Sequence, residues 1–313
     1  MKSLLPLSLA ALLCAGAATA DTIDVTPEIF APGTISGTAS EDCFSMTPDG
    51  DTAVFDISNG SSSTIVISHK LKGVWSSPEI APFSGQWYDH DPAVSPDGKF
   101  IVFPSSRPAK AGDKPTGGLW RVDRKGKGWG EPWRLPDDVN VSPRIYAPSI
   151  AADGSIYFIR PGDDGILHIF RSQYKDGTYQ PAVQQMLGDV STHQKDPAIA
   201  PDESFVVFDT DQGGTKDQDR LFIAFKEGDH WGQPTDLGDG VNAGNNPWGA
   251  HVSADGKTLY FNSDRSIKVV YPRTPEQARK DFARLMSWDD GESNIWSIPL
   301  TPYIAAHAAS PHQ

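Results

Sequence analysis

Apolar side chains alternate with polar ones in short runs along this chain, the period-2 pattern of half-buried β-strands, and the runs come in groups. In the clearest group, Asp91-Pro92-Ala93-Val94-Ser95-Pro96-Asp97-Gly98-Lys99-Phe100-Ile101-Val102-Phe103, two runs flank Asp97-Gly98. Asp-Gly accepts the positive φ angles of a two-residue hairpin turn, so the group predicts an antiparallel hairpin. The signal returns at Thr47-Pro48-Asp49-Gly50, Ala151-Ala152-Asp153-Gly154, Ala200-Pro201-Asp202-Glu203 and Ser253-Ala254-Asp255-Gly256. The five aspartates stand 48, 56, 49 and 53 residues apart, and a period near fifty marks a repeat architecture.

A third run follows each hairpin, at residues 63–67, 118–122, 167–170, 220–224 and 294–298. In four units an aromatic and a proline come next, as in Trp75-Ser76-Ser77-Pro78 and Trp231-Gly232-Gln233-Pro234, and introduce a fourth, outer strand. Four antiparallel strands per unit, with Pro kept to edges where no ladder N–H is missed, describe propeller blades. Five blades over residues 21–300 are expected, with six the alternative if a degenerate unit is hidden. The last unit has no outer strand of its own. Thr26-Pro27-Glu28-Ile29-Phe30-Ala31-Pro32-Gly33 resembles the outer strands elsewhere, so the N-terminal segment is expected to complete the last blade and close the ring. Residues 301–313 read as a tail.

The pattern Asp-Pro-x-x-Ser-Pro-Asp-Gly followed by an apolar strand, at Asp91 to Phe103 and more loosely at Asp196 to Phe208, resembles the repeats of TolB-like β-propellers. The resemblance spans about residues 22–300 and implies the propeller alone, without the α/β domain that precedes it in TolB. Such propellers include binding proteins, regulatory domains of peptidases and carbohydrate-active enzymes, so function is not carried over with the fold.

Charge and the termini narrow the classes. Met1-Lys2-Ser3, the apolar stretch Leu4 to Leu13 and Ala18-Thr19-Ala20 before Asp21 read as a secretory signal peptide over residues 1–20. Cys14 follows Leu13 rather than a small residue, which argues against a lipid-anchored cysteine. A periplasmic address, no membrane span and a monomer are expected. Only Cys43 then remains, which excludes an internal disulfide. A formal net charge of −13 and no basic cluster interleaved with aromatics exclude nucleic acid as a partner.

Strand order places the loop leading into each blade on the same face as the loop between its second and third strands. All the long loops fall there, and the Asp-Gly turns lie opposite. Long loops on a rigid scaffold are where binding and catalysis sit. Seven residues before each hairpin Asp stand Asp42, His90, Tyr146, Lys195 and Trp248; nine before stand Ser40, Tyr88, Arg144, His193 and Asn246. These disagree between blades and are the binding candidates at the channel mouth. Six before, Asp91 and Asp196 repeat, and an Asp ahead of Pro suits a structural role as acceptor of backbone N–H groups.

Chemistry is less specific. No cofactor is expected; His90, His193 and His251, joined by Asp89 or Asp42, form a weak candidate set for a divalent metal. No nucleophile elbow, His-Glu-x-x-His or phosphate loop occurs. Cys43 could act as a thiolate only with a histidine such as His90 in reach. Five-bladed propellers also house glycosidases with three acidic residues near the axis, and by that likeness Asp42, Asp89 and Asp211 are the candidates. Trp87, Tyr88, Tyr146 and Trp248 could stack on sugars or on a partner's side chains.

One insertion breaks the repeat in the last blade. Thr274-Pro275-Glu276 opens a helix reaching Met286, with Ala278, Phe282 and Leu285 on one face. That stripe is expected to fold down onto the disc rim; the alternative is a lid presenting Arg279, Lys280 and Arg284. The leading expectation is a module binding an envelope protein or peptide at the channel mouth, and the alternative is a carbohydrate-active hydrolase or lyase at the same place.

Overall fold

A computed structural model describes residues 23–211, 219–242, 246–266 and 268–310. The expected signal peptide lies outside the described residues.

Each repeat forms one antiparallel sheet, and the five sheets are the blades of a propeller. Blade 1 runs from axis to rim through Ser40–Met46, Thr52–Ser58, Ser63–Leu71 and Glu79–Ile80. Blade 2 uses Ala93–Val94, Phe100–Pro104, Leu119–Lys125 and Trp133–Arg134. Blade 3 uses Tyr146–Ile150, Ile156–Pro161, Leu167–Ser172 and Val183–Gln184. Blade 4 uses Gln194–Ile199, Phe205–Thr210, Arg220–Glu227 and Thr235–Asp236. Blade 5 takes Trp248–Val252, Thr258–Ser263 and Asn294–Pro299 from its own repeat. Its outer strand is Glu28–Ile29, which pairs Glu28 with Ser297 and Ile29 with Trp296, so the N-terminal segment closes the ring as expected.

The hairpin turns are finer than Asp-Gly alone suggests. Gly50 N–H bonds Thr47 carbonyl at 2.9 Å, and only the residue after each Asp is left-handed, with φ of 73° at Gly50, 69° at Gly98 and 72° at Gly256. This is a turn followed by one left-handed residue, a position glycine occupies without steric cost. Blade 4 puts Glu203 there at φ 60°, and its carboxylate is held by Arg171 at 2.6 Å and by the Tyr157 hydroxyl at 2.7 Å. Those contacts offset the strain of a non-glycine residue in that region.

Strand alternation decides which neighbour each side chain meets. On the second strand of blade 1, Phe55 packs toward Phe44 and blade 5's Tyr260, whereas Val54 packs toward blade 2's Ile101 and Phe103. Every interface between adjacent blades carries such a buried cluster. The core is therefore five wedges around an axis, and the axis itself is lined by small and proline residues together with Asp91, Asp196 and His251.

Two helices depart from the repeat. The insertion helix Pro275–Arg284 has Thr274 as N-cap in a reciprocal capping box with Gln277. None of its residues is buried, and Phe282 and Leu285 are 67% and 57% exposed. The expected packing of this stripe onto the rim does not occur: its apolar face has no wall to meet. The stretch read as a tail forms the helix Thr301–Ala309, whose Tyr303 is buried and donates to Leu237 carbonyl at 2.7 Å.

Candidate functional site

The inner strands are interrupted where they pass the axis. In blades 1, 3, 4 and 5 the register with the second strand shifts at a bulge, between Asp42 and Ser45, Tyr146 and Ser149, Lys195 and Ala198, and Trp248 and His251. At this level all five blades place a left-handed residue: Cys43 (φ 50°), Asp91 (46°), Ala147 (49°), Asp196 (46°) and Gly249 (60°). A bulge re-aims the chain, and these residues, one position after the ring that spacing selects, line the axial cavity together with His251. That cavity is about 20 Å³, room for one or two water molecules.

Blades are tied across the axis by side chains that accept neighbouring backbone N–H groups. Asn262 of blade 5 accepts from Cys43 N of blade 1 at 2.9 Å, and Asp56 of blade 1 from Asp91 N of blade 2 at 3.0 Å. Asp91 accepts from Ala147 N of blade 3 at 3.0 Å, and Asp196 of blade 4 from Gly249 N of blade 5 at 2.9 Å. One layer nearer the Asp-Gly face, Ser45 accepts from Val94 N at 2.9 Å and Ser149 from Ile199 N at 3.0 Å. His251 holds the equivalent place in blade 5 and meets Ser45 Oγ at 3.1 Å; burial lowers its pKa to about 4. Asp91 and Asp196 thus have the structural role expected of Asp before Pro.

Above this belt the mouth carries two charged groups. In the first, His90 Nδ1 lies 3.1 Å from Asp91, and its ring stands 5.2 Å from Tyr88 and 6.0 Å from Tyr146. Burial opposes its charged form, but Asp91, Asp56 and Asp89 outweigh burial and raise its pKa to about 9, so His90 is an imidazolium at neutral pH. Burial alone would lift Asp91; His90 beside it brings it below the usual carboxylate range. Asp42 is raised by burial, moderated by its bonds from Ser58 at 2.8 Å and Ser40 at 3.3 Å. Asp56 is raised well above the ordinary value by burial and by Asp91 and Asp42.

In the second group Lys195 reaches Asp219 and stands 3.7 Å from Asp209. Burial disfavours its charge, yet the two carboxylates hold its pKa above the ordinary value. Asp209 is raised well above the carboxylate range by burial and by Asp196, and Asp196 by burial and Asp91 to about 6.

The remaining candidates divide. Trp248 is half-buried at the mouth opposite Asn262, and Arg144 is exposed there. His193 is turned into the scaffold: its ring Nδ1 accepts from Leu167 N at 3.0 Å, and its backbone N–H donates to Asp211 at 3.1 Å. Asp89 is fully buried and bonded to Ser105, Ser84 and Arg107. Of the three carboxylates proposed by likeness to glycosidases, Asp89 and Asp211 are committed to these contacts and only Asp42 belongs to the mouth cluster. Among the described residues, the ligand atoms close enough to share one ion are those of Cys43, Asp56 and Asp91, within 4.8 Å, and no histidine is in that group. These carboxylates also accept hydrogen bonds within the belt: Asp56 from Ser63 and Asp91 N, and Asp91 from Cys43, His90 and Ala147 N. Burial pushes the Cys43 thiol well above its usual pKa, the opposite of an activated nucleophile.

Asp56, Asp209 and Asn262 are absent from the ring that spacing selects. The signal was a polar residue after Phe at the end of the second strand: Phe55-Asp56, Phe208-Asp209 and Phe261-Asn262.

No protein-family model and no curated protein matches this chain. Among solved structures it is similar to the putative TolB from Agrobacterium tumefaciens, at 15% identity and a TM-score of 0.50, covering 83% of this chain and 90% of that one. It also aligns with TolB from Acinetobacter baumannii at 12% identity and a TM-score of 0.47, covering 83% of this chain and 54% of that one. An α-L-arabinofuranosidase from Podospora anserina aligns at 11% identity and a TM-score of 0.49, covering 83% and 90%. At such identities the likeness establishes a TolB-like propeller fold and leaves binding and catalysis open.

Proposed function

We propose that this chain is a secreted, periplasmic binding module whose mouth face recognises a protein or peptide partner. The observation that carries this reading is the distribution of exposed apolar groups. Of the thirteen large apolar side chains exposed among the described residues, seven stand on the mouth-side loops, including Tyr88, Tyr271, Phe282 and Met286. Exposed apolar side chains gathered on one face mark interaction surfaces. They share a face with the charged centre, whose axial cavity is too small for a sugar ring and whose carboxylates are held by the belt; a wider hollow of about 530 Å³ opens on the same face beside Ser40 and Ser58, the partners of Asp42. The leader-like residues before Asp21 support export.

A photo-crosslinker placed at Phe282 and at Tyr88 in the exporting cell is expected to give the same discrete adduct, and one at Lys99 on the Asp-Gly face to give none. Turnover in a glycan screen that is lost in Asp42→Ala would replace this reading with the hydrolase or lyase alternative.

A further inference from the structure

The insertion in blade 5 holds its apolar side chains out of the fold. Of the thirteen large apolar side chains exposed among the described residues, five fall within residues 270–286: Val270, Tyr271, Phe282, Leu285 and Met286. They are fixed in place by charge rather than by packing. Arg273 lies over the Tyr271 ring at 4.8 Å and bonds Asp281 at 3.1 Å, and Asp281 also meets Arg284 at 3.2 Å. Arg284 reaches Asp289, which is buried, and the adjacent Trp288 stands edge-on to Trp296 of blade 5 at 5.9 Å. One chain of ion pairs thus ties Tyr271 to the helix Pro275–Arg284 and the helix to the blade. The stripe is a pre-organised surface, so little ordering is needed when a partner covers it.

Its charge is opposite to that of the rest of the protein. Residues 268–286 carry Lys268, Arg273, Arg279, Lys280 and Arg284 against Glu276 and Asp281, a formal +3 in a chain of −13, which leaves −16 elsewhere. Asp281 is held between Arg273 and Arg284, and Glu276 pairs with Lys280 at 3.1 Å. Lys268 and Arg279 are exposed and meet no carboxylate among the described residues. At helical spacing Ala278, Phe282 and Leu285 share one face, and Arg279 borders it. Free cations therefore stand beside exposed apolar groups. A second copy of the chain would set one cationic insertion against another. An anionic bilayer would meet the acidic body along with the insertion, whereas a narrow segment lying on the stripe is screened from that body beyond about 8 Å at physiological ionic strength.

We propose that the insertion docks an acidic, amphipathic segment of a protein partner, whose apolar side chains cover Phe282, Leu285 and Met286 while its carboxylates meet Arg279 and Lys268. The inference rests on partner recognition at the mouth face and adds the chemistry of what is recognised there. Apolar cover supplies affinity, and charge of opposite sign excludes basic segments of the same shape.

Sequencing the peptide that a photo-crosslinker at Phe282 captures in the exporting cell tests the inference. The peptide is expected to carry an excess of carboxylates, with apolar residues three or four positions apart. Arg279→Glu combined with Lys268→Glu should lower the adduct yield at least fivefold, Arg279→Lys should keep it, and Lys99→Glu on the Asp-Gly face should change it less than twofold. All three positions are exposed, so each variant is read in a folded chain. A captured peptide of neutral or basic composition, or a yield that charge reversal leaves unchanged, overturns the inference while partner recognition at the mouth stands. An adduct of twice this chain's mass would assign the stripe to a second copy, and lipid as its sole adduct would assign it to a bilayer; either overturns the inference. Absence of adducts at both Phe282 and Tyr88 removes the reading of the mouth face, and this inference with it.

Discussion

The Asp91 carboxylate of blade 2 accepts the backbone N–H of Ala147 in blade 3 at 3.0 Å while holding the His90 imidazolium at 3.1 Å. One side chain thus closes a blade junction and sets the charge of the mouth. Removing it as Asp91→Ala leaves a buried N–H without an acceptor and a cation without its partner. Asp91→Asn keeps the acceptor and remains at ease in the left-handed region. Chemical denaturation should find the alanine variant less stable than the asparagine variant by about 1–3 kcal/mol.

His90 gives the mouth a pH dependence of definite sign. Its folded pKa of about 9 lies above the ordinary 6.5, so its stabilising effect is complete below pH 6.5 and is lost as pH rises through 9. The shift corresponds to at most about 3 kcal/mol. His90→Gln should therefore cost most near pH 6 and little at pH 9.5 in denaturant titrations. A His90 ring resonance that titrates near 6.5 would contradict the charged pairing.

His251 works in the other direction. Burial lowers its pKa to about 4, so the unfolded chain takes up this proton first. The stability it permits is present above pH 6.5 and is lost as pH falls from 6.5 through 4, again by at most about 3 kcal/mol. Blades 2 and 4 have Ala93 and Ala198 at this place. His251→Ala should flatten the acid limb of the stability profile between pH 6.5 and 4, measured against the parent chain in the same buffers.

The blades were legible because strand alternation and the Asp-Gly turns are local signals that recur at a fixed period. The axial ring was not, because it depends on a bulge. Seven residues before the turn lie Asp42, His90, Tyr146, Lys195 and Trp248, but the left-handed residue that follows each of them points to the axis instead. A bulge changes which of two adjacent residues faces the axis without changing any spacing. Thr301–Ala309 was illegible for another reason: its helix is fixed by docking Tyr303 against blade 4, a tertiary contact rather than a local preference. Phe282 and Leu285 show the converse, a helical stripe read correctly that meets no apolar surface among the described residues.

That exposed stripe separates folding from recognition. Phe282→Ser removes an apolar group already in water, so thermal stability should stay within about 0.5 kcal/mol of the parent. Tyr303→Ala, by contrast, empties a buried site and should cost about 3–5 kcal/mol. If Phe282 serves partner recognition, its variant loses the mouth-face crosslink from Tyr88 at unchanged stability.

Ring closure rests on Phe30 more than on the two paired residues that precede it. Glu28–Ile29 contributes one short strand to blade 5, but Phe30 reaches over the junction to blade 1. Its ring lies 4.9 Å from Phe44, 6.0 Å from Trp75 and 5.3 Å from Tyr260, so one residue from the start of the propeller joins aromatics of the first and last blades. Loss of this contact removes the aromatic bridge at the junction and leaves it to the Asn262 and His251 hydrogen bonds and the remaining Phe44–Tyr260 packing. Phe30→Ala should lower stability by roughly 2–4 kcal/mol, toward the low side of aromatic core truncations because the ring is partly exposed. Hydrogen exchange should then rise first along Asn294–Pro299 and Ser40–Met46, the strands flanking the junction, while blade 3 keeps its protection. Uniform loss of protection across all blades would show instead that the ring unfolds as one unit and that closure at this junction is no weaker than the others.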